Sequence, residues 1–318
     1  VQLHRVYIDY PSLFLPFQEL GIIIVDEEHD SSYKQDEGVC YNARDMAIAR
    51  ASLENIPINL VTSILSVETY NNVVNKKYSI TKLSKRYKEA NLPKVKIINL
   101  HNENLERGFW IAKRTINEVN KYLDNGDQIL FFLNRRGYAP FVICRKCGLK
   151  FECPNCSVNL NFHKKLQKLL CHHCGHKSIL LRNCKNGTKK NIENCDLIFC
   201  GPGIERIFGE LKKIYPNRKV EMFSSDTLKK NKSTKQLISK VEKKEIDILV
   251  GTQLLSKGFH FPKLNCIVVV DTDFTSHGYD LRSAEKNVQL YHQLSGRAGR
   301  AGNASAIYFQ TYTPDDEI

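Results

Sequence analysis

The sequence has no apolar run long enough to cross a membrane. Its longest apolar runs, Ile22–Val25, Ile129–Leu133 and Cys266–Val270, have the length of β-strands, whereas a membrane helix needs about 18 or more apolar residues. The first residues, VQLHRVYIDYP, also lack the basic start, the apolar stretch and the small-residue cleavage site of a signal peptide. We therefore expect a cytoplasmic protein that does not bind a membrane.

Acidic residues are outnumbered by basic ones. The chain has 34 Asp and Glu against 47 Lys and Arg, a formal net charge of +13, which favours a polyanionic partner such as nucleic acid. The alternative is a bias of the whole composition toward Lys, Asn and Ile. A hydrophobic share of 42% with 25% charged residues excludes a disordered or collagen-like chain.

The 11 cysteines point to metal rather than to disulfides, since cytosolic thiols stay reduced. Six of them form three Cys-x-x-Cys pairs: Cys144/Cys147, Cys153/Cys156 and Cys171/Cys174. Two residues between thiols let both sulfurs of one turn face the same tetrahedral zinc ion. Buried or redox-active cysteines are the alternative, but the glycines, proline and polar residues around the pairs are typical of turns.

Short apolar runs alternate with longer amphipathic stretches, which predicts an α/β fold with parallel sheets. The predicted buried parallel strands are Ile22–Val25, Ile129–Leu133, Asp247–Val250 and Ile267–Val270. The predicted helices are Asn42–Asn55, Phe109–Asn125, Gly203–Tyr215, Lys230–Lys243 and Ala284–Leu294. The cysteine block interrupts this pattern, so we interpret it as an inserted small module that is stabilised by metal.

Asp26, Glu27, Glu28 and His29 follow the first predicted strand directly. Carboxylates at the carboxyl end of a buried parallel strand lie where open α/β sheets bind ligands. In nucleotide hydrolases one such residue holds Mg²⁺ and the next orients the attacking water. A solvated acidic turn is the alternative for these four residues taken alone.

Two further segments have residues suited to phosphate. Arg297 and Arg300 lie three residues apart among glycines, a pattern that lets two guanidinium groups bind phosphate; a basic surface turn is the alternative. The segment Gly251–Pro262 follows a predicted strand and contains hydroxyl, amide and lysine groups that suit a nucleic-acid backbone.

The order of these motifs resembles that of a known family. DEEHDSSYKQ, FFLNRRGYAP, the cysteine block, ILVGTQLLSKGFHFP and QLSGRAGRAG are similar to segments of the PriA-type replication-restart DNA helicases, also called primosomal protein N′. The resemblance extends over essentially the whole chain. It implies RecA-like helicase lobes, each a parallel sheet flanked by helices, with an inserted small zinc-binding module.

The resemblance also implies an activity and partners. The family uses ATP and Mg²⁺ to move 3′–5′ on DNA, acts at fork-like junctions of single-stranded and duplex DNA, and works with primosome and single-strand-binding proteins. The residues that match catalytic positions are Asp26, Glu27, Arg297 and Arg300. Those that match nucleotide-binding positions are Glu28, His29 and Gln293, and those along the DNA or the cleft are Arg135, Arg136, Thr252, Gln253 and Lys257. Asp271, Asp273, Arg282 and Glu285 match positions toward the nucleotide.

The resemblance implies domain boundaries as well. Residues 1–75 correspond to the carboxyl-terminal part of a first lobe, and residues 76–109 to the connection between lobes. Residues 110–143 and 191–318 correspond to the second lobe, and residues 144–190 to the zinc module.

The family holds two zinc ions with four Cys-x-x-Cys pairs. By resemblance Cys153, Cys156, Cys171 and Cys174 form a complete site. Cys144, Cys147 and Cys184 belong to the second site, but Cys184 is followed by Lys-Asn-Gly, so its fourth ligand is lacking. Either the second ion is lost or weakly bound, or Cys195 replaces the missing ligand; His172 and His173 are less favoured.

The sequence departs from the family in other places. It contains no Gly-x-x-x-x-Gly-Lys-Ser/Thr phosphate loop, and the family's terminal domains are expected to be absent. Val61–Leu65 differs from the family's Gly-Ser-Ala-Thr-Pro motif, and only Glu68-Thr69 fits after it. We therefore expect the isolated chain to be inactive as an ATPase. A non-catalytic zinc-dependent module that binds DNA or protein is the second hypothesis, and a zinc-ribbon protein of transcription or ribosomal type is a third.

Overall fold

The structure is a computed structural model of the chain. It describes residues 12–35, 38–83, 92–106, 108–133, 141–144, 149–156, 160–163, 168–171, 174–179, 197–200, 204–223, 239–252, 261, 263–270, 272–273, 282–299 and 303–316. These residues form two compact units, one within Val1–Lys82 and the other within Leu83–Ile318. Each unit contains a parallel sheet with helix packed against it, which confirms the predicted RecA-like α/β fold class.

The first unit has a two-stranded parallel sheet. Its elements are β1 (Ile23–Asp26), β2 (Lys34–Gln35), β3 (Tyr41–Asn42), α1 (Ala43–Leu53), β4 (Ile58–Val61) and α2 (Val67–Val74). Strand β1 pairs in parallel with β4, so that Asp26 lies opposite Val61. Strands β2 and β3 form a short antiparallel ribbon.

Helix α1 approaches the sheet closely because its inner face is small. Ala43, Ala47 and Ala51 recur every four residues and therefore share one face, which is buried in the core of this unit together with Ile23 and Val25 of β1. The other face of β1 is open, since Ile24 is 54% exposed. The prediction of a strand buried on both faces is thus wrong for β1, because among the described residues helix packs only on the face of Ile23 and Val25.

The second unit has a six-stranded parallel sheet. Its elements are β5 (Lys94–Asn99), α3 (Lys113–Asp124), β6 (Gln128–Phe132), α4 (Ile204–Ile214), β12 (Val220–Phe223), β13 (Ile248–Gly251), β14 (Leu264–Val269), α5 (Ser283–Ser295) and β15 (Ala306–Thr311), with β7 to β11 in the inserted module. The strand order is β12-β13-β6-β14-β15-β5, and every pairing is parallel. The parallel orientation of the three predicted strands in this sheet is confirmed.

The central strands β6, β13 and β14 are buried along their whole length. Because side chains alternate along a strand, Phe131 packs in a core with α3 and α4, whereas Phe132 packs in a second core with Leu290 and Leu294 of α5. Helices therefore cover both faces of the sheet, as a parallel sheet requires.

The amino end of α3 is held by side chains from distant elements. The N-cap residue, Ala112, has no side-chain cap, and Gln310 of β15 accepts its N–H at 2.9 Å. Glu210 of α4 accepts hydrogen bonds from the N–H groups of Trp110 and Ile111. Burial raises the pKa of Glu210, and these backbone bonds oppose the shift in part. Two buried polar side chains thus fix the segment that leads into α3.

The inserted module is a five-stranded antiparallel sheet. Its strands are β7 (Phe141–Cys144), β8 (Asn161–His163), β9 (Lys168–Leu170), β10 (Lys177–Ile179) and β11 (Leu197–Cys200), in the order β10-β9-β8-β7-β11. Its core is small and consists of Val142, Cys153, Leu160, Phe162, Leu169 and Cys171. Two of these six core residues are cysteines, which agrees with a module that depends on metal.

The domain boundaries from the sequence stay predictions, and the sheets include more residues than they assume. Strand β5 lies within the predicted connection 76–109, yet it is the edge strand of the six-stranded sheet. The module's sheet starts at Phe141 and ends at Cys200, beyond the predicted 144–190. Most of the predicted helix Lys230–Lys243 falls outside the described residues. Among the residues that the structure describes, no helix has the length and hydropathy to cross a membrane.

Candidate functional site

Asp26 is the last residue of β1, at the carboxyl end of the strand. Its carboxylate is exposed, and its Oδ1 accepts a hydrogen bond from the N–H of Glu27 at 3.0 Å. The Tyr33 hydroxyl donates to the Asp26 carbonyl at 2.6 Å and so fixes the backbone here. An exposed carboxylate at this end of a parallel strand can bind a cation.

Glu27 has an unusual backbone conformation. Its φ is 50°, in the left-handed region that residues with a Cβ rarely adopt. Its Oε2 is buried and has no hydrogen-bond partner among the described residues. A strained backbone with an unsatisfied carboxylate oxygen is typical of a functional position.

His29 is buried beside Glu27 and contacts the segment after β4. Its Nδ1 lies 2.6 Å from Thr62 Oγ1, and that hydroxyl donates its proton to the Ile64 carbonyl at 2.6 Å. The hydroxyl must therefore accept from the imidazole, which places a proton on Nδ1 and leaves Nε2 toward Glu27 Oε2, 3.6 Å away. Thr62 thus supplies a hydroxyl within the segment that departs from the family motif.

Glu28 has a fully buried side chain in contact with three parts of the unit. Its Oε1 accepts from the Ser66 N–H at 2.7 Å. Its Oε2 accepts from the Thr69 hydroxyl at 2.8 Å, the Ser66 hydroxyl at 2.9 Å and Arg44 Nη1 at 3.1 Å. Burial opposes the charge of Arg44, but Asp45 and Glu28 outweigh it and raise the pKa of the guanidinium.

These contacts divide the predicted acidic residues. Asp26 and Glu27 each keep a carboxylate oxygen that accepts no hydrogen bond from the residues that the structure describes, whereas the carboxylate of Glu28 is surrounded by protein donors. Sequence reasoning missed Arg44 and Ser66. Ser66 had a signal, since a serine before a helical stretch is a common N-cap and here accepts the Thr69 N–H. Arg44 had none, because its partner lies 16 positions away.

Gln293 and Arg297, the predicted phosphate-side residues of the second unit, lie at the carboxyl end of α5 and in the turn after it. Both are half-buried. Gly299 continues the turn with φ 69°, and its N–H donates to the Leu264 carbonyl at 3.0 Å, which ties the turn to the start of β14. The second arginine of the motif, Arg300, lies outside the described residues.

At the carboxyl edge of the six-stranded sheet, Thr252 follows β13 and Asp273 follows β14. The carboxylate of Asp273 is buried and accepts from the Thr313 hydroxyl at 2.6 Å and the Tyr312 N–H at 2.8 Å. Its oxygens are therefore bound by the segment after β15. Glu285, in the first turn of α5, lies 3.9 Å from Arg282.

Several predicted residues cannot be placed. The DNA-side positions Arg135, Arg136, Gln253 and Lys257, the metal ligands Cys147 and Cys184, and Asp271 and Cys195 all lie outside the described residues.

A cluster of four cysteines is the candidate metal centre of the inserted module. The sulfurs of Cys153, Cys156, Cys171 and Cys174 all lie within 4.8 Å of one another. The pairs Cys153–Cys174 and Cys156–Cys171 are 3.5 and 3.4 Å apart. Four sulfurs bound tetrahedrally to one zinc at about 2.3 Å would be about 3.8 Å apart. The donor set and its spacing therefore fit a structural zinc ion, as the sequence predicts.

One turn shows how the chain brings these thiols together. The N–H of Cys171 donates to the His176 carbonyl at 2.8 Å, and the N–H of Gly175 donates back to the Cys171 carbonyl at 3.0 Å. Gly175 has φ 76°, a conformation that glycine adopts without strain. Of the second predicted metal site only Cys144 is described; it is buried at the end of β7.

Comparison with known proteins finds sequences that are similar to this chain. A family description, helicase conserved C-terminal domain, matches residues 162–302. The replication restart protein PriA of Rickettsia conorii is 44% identical over 307 residues, which cover 96% of this chain and 47% of the relative. The PriA protein of Bacillus subtilis is 36% identical over 305 residues, which cover 95% of this chain and 37% of the relative.

Solved helicase structures are similar to the chain at much lower sequence identity. Yeast Dbp5 bound to RNA and ADP BeF3 has 12% identity and a TM-score of 0.44, covering 94% of this chain and 55% of that one. The Mycobacterium smegmatis helicase Lhr bound to ssDNA and AMP-PNP has 12% identity and a TM-score of 0.45, covering 92% and 28%. The family assignment therefore rests on the sequence matches and on the motifs that the structure places.

The chain spans about half the length of the Rickettsia relative that it matches. Within that span its parallel sheets and its cluster of four cysteines agree with what the sequence predicts. Over these residues the chain is similar to a segment of the replication restart protein PriA, as the order of its motifs predicts.

Proposed function

We propose that the chain forms part of an ATP-dependent DNA helicase that moves 3′–5′ and acts in replication restart. The observation that carries this proposal is the acidic turn. Asp26 and Glu27 keep carboxylate oxygens available at the carboxyl end of β1, while Glu28 is bound by the protein. The identity to PriA proteins supports the same function.

In this proposal the acidic turn acts on ATP. Bound Mg²⁺ supplies positive charge to the phosphates, and Asp26 is the residue that would hold it. Glu27 would orient the attacking water, since its side chain is 46% exposed while its buried Oε2 faces His29. His29, which contacts both Glu27 and Thr62, would connect this turn to the segment after β4.

The arginine motif supplies the opposite charge. Arg297 and Arg300 would neutralise the charge that develops on the transferred phosphoryl group, with Gln293 beside them on α5. Each of these residues acts by its position and its charge.

DNA is the proposed polyanionic partner. Arg135, Arg136 and Lys257 would contact phosphates, and Thr252 and Gln253 would add neutral hydrogen bonds. We assign the specific substrate as a fork with a junction of single-stranded and duplex DNA. Primosome and single-strand-binding proteins are the proposed protein partners.

One observation favours a second function. The sequence contains no Gly-x-x-x-x-Gly-Lys-Ser/Thr loop, the element that grips the β- and γ-phosphates in such motors. A chain used without that loop would act as a non-catalytic zinc-dependent module that binds DNA or protein.

A chimaera separates the two functions. The 307 matched residues of the Rickettsia conorii relative are replaced by the corresponding residues of this chain, and DNA-stimulated ATP hydrolysis and unwinding of forks with 3′ or 5′ tails are measured. The helicase proposal expects hydrolysis and unwinding of the 3′-tailed fork, both lost on Glu27→Gln. Fork binding without hydrolysis in the chimaera that keeps Glu27 would instead support the non-catalytic module.

A further inference from the structure

The backbone of Glu27 is held between two fixed neighbours. On one side Asp26 is paired with Val61 in the parallel sheet. On the other side Glu28 is tied to the protein by hydrogen bonds through both carboxylate oxygens. A strained conformation persists only where the surrounding structure imposes it, so the φ of 50° at Glu27 needs a source of constraint.

The contacts of Glu28 are the strongest constraint beside it. They connect the turn after β1 with two helices: Arg44 lies in the first turn of α1, and Ser66 and Thr69 lie at the amino end of α2. Arg44 Nη1 also donates to the Ser66 hydroxyl at 2.8 Å. The Arg44 and Glu28 side chains are only 7% and 0% exposed, so water cannot replace either partner.

We propose that Arg44 is a positioning residue. Through Glu28 it holds Glu27 in its left-handed conformation and so places the Glu27 carboxylate; the Arg44 guanidinium itself is bonded to Glu28, Ser66 and Asp45. The meaning of this role rests on the proposed ATPase function, in which Glu27 orients the attacking water, but the conformational claim can be tested without nucleotide.

The test compares glycine with alanine at position 27. Both substitutions remove the carboxylate, so a difference between them reports the backbone alone. Glycine adopts a positive φ readily and alanine does not. The readout is hydrogen exchange of the amides of Glu28 and Asp30, which donate to the carbonyls of Val61 and Glu27 at 3.2 and 2.7 Å.

In the otherwise unchanged chain, these amides should exchange at least about threefold more slowly in Glu27→Gly than in Glu27→Ala, because only glycine relieves the strain. In an Arg44→Met background the ratio should fall to about one or below, since a relaxed backbone no longer favours glycine. If Arg44 had a purely structural role, Arg44→Met would speed exchange equally in the Glu27→Gly and Glu27→Ala chains. The ratio of their exchange rates would then stay unchanged.

Two further variants provide a control and a substitute for a chain that does not fold. Arg50→Met is the matched control, because Arg50 also lies on α1 but pairs with Glu54 at 2.7 Å; it should leave the glycine advantage intact. If Arg44→Met does not fold, Arg44→Met with Glu28→Gln leaves no unpaired buried charge and should show the same loss.

An equal glycine advantage with and without Arg44 would overturn the proposal. Failure of the chimaera to hydrolyse ATP would count against the proposed function alone, because the exchange experiment contains no nucleotide.

Discussion

Gly299 lies in the turn after α5 that contains Arg297, and this turn depends on its backbone conformation. Its φ is 69°, and a Cβ added there would lie 2.4 Å from Ser305 Oγ and 3.2 Å from the Asn303 carbonyl oxygen. We expect Gly299→Ala to lower the free energy of unfolding of the second unit by about 2 kcal/mol or more, from backbone strain and steric overlap together. Urea unfolding followed through Trp110, the only tryptophan of the chain, measures this.

Gly209→Ala is the control for that substitution. Gly209 lies inside α4, and an added Cβ would meet no atom within 4 Å. Alanine is the better helix former, so this variant should be more stable by about 1 kcal/mol. A Gly299→Ala chain as stable as the wild type would show that the turn adapts.

At the scale of single residues the sequence predicts chemistry better than contacts. The type and order of Asp26, Glu27 and Glu28 indicate an acidic site, because carboxylates after a buried strand have few other uses. The sequence does not predict that Glu28 points inward, since Arg44 and Ser66 reach it from 16 and 38 positions away. Such distant pairings depend on packing and leave no local pattern.

At the scale of secondary structure, predictability follows burial. Strands β6, β13 and β14 are mostly apolar and fully buried, and the sequence predicts them from their apolar runs. Strand β5 was not, because its lysines alternate with Val95 and Ile97 and its first four residues are exposed at the sheet edge. An edge strand buries too little apolar surface to show in composition.

Glu118 joins α3 to the edge of the sheet. It accepts hydrogen bonds from Lys121 at 2.5 Å, Tyr308 at 2.7 Å and Lys96 at 3.0 Å, and these contacts lower its pKa to about 2. A lowered pKa stabilises the folded chain above the ordinary value of 4.5, and this stability is lost as pH falls toward 2.

We therefore expect Glu118→Gln to reduce the loss of unfolding free energy between about pH 5 and pH 2 by about 1–2 kcal/mol. The effect is limited to this size because water screens the charges of the lysines. Thermal unfolding across this pH range measures it. Tyr308→Phe, which removes one donor, should flatten the curve less. An unchanged slope in Glu118→Gln would contradict the assignment.

The cysteine module leads to a prediction about metal content. Four thiols close one zinc site, whereas Cys144, Cys147 and Cys184 provide three ligands for the second, and structural sites normally have four. After mild chelation we expect nearer one zinc than two per chain by elemental analysis. Cys171→Ser should unfold the module, and Cys184→Ser should have little effect.

Cys195→Ser decides whether another cysteine completes the second site. Two tightly held zinc ions that survive Cys195→Ser would refute both the loss of the second ion and its rescue by this residue. Two ions that fall to one in Cys195→Ser would identify the replacement ligand.

At the scale of the whole molecule, net charge is the property to test. The chain has a formal net charge of +13, and binding to DNA releases counterions in proportion to phosphate contacts. If Arg135, Arg136 and Lys257 make three such contacts, affinity for labelled fork DNA should fall about 20- to 40-fold between about 50 and 200 mM salt. Replacing all three by alanine should largely remove this dependence.

The control changes the same charge elsewhere. Replacing Lys212, Lys213 and Lys219 by alanine also lowers the net charge by three, but these residues lie on α4 and just before β12. The salt dependence should persist in this variant. Equal loss in both variants would mean that binding follows overall charge rather than a site.

The strands that bound the zinc module are neighbours in one sheet. Strand β7 pairs with β11 in antiparallel register, with Cys144 opposite Leu197 and Phe141 opposite Cys200. The chain thus leaves the six-stranded sheet after β6 and returns before α4 through two adjacent strands. Insertions with closely spaced ends disturb the host fold least. The module is therefore a cassette: a short linker in its place would let β6 cross over to β12 through α4 without rearranging the sheet.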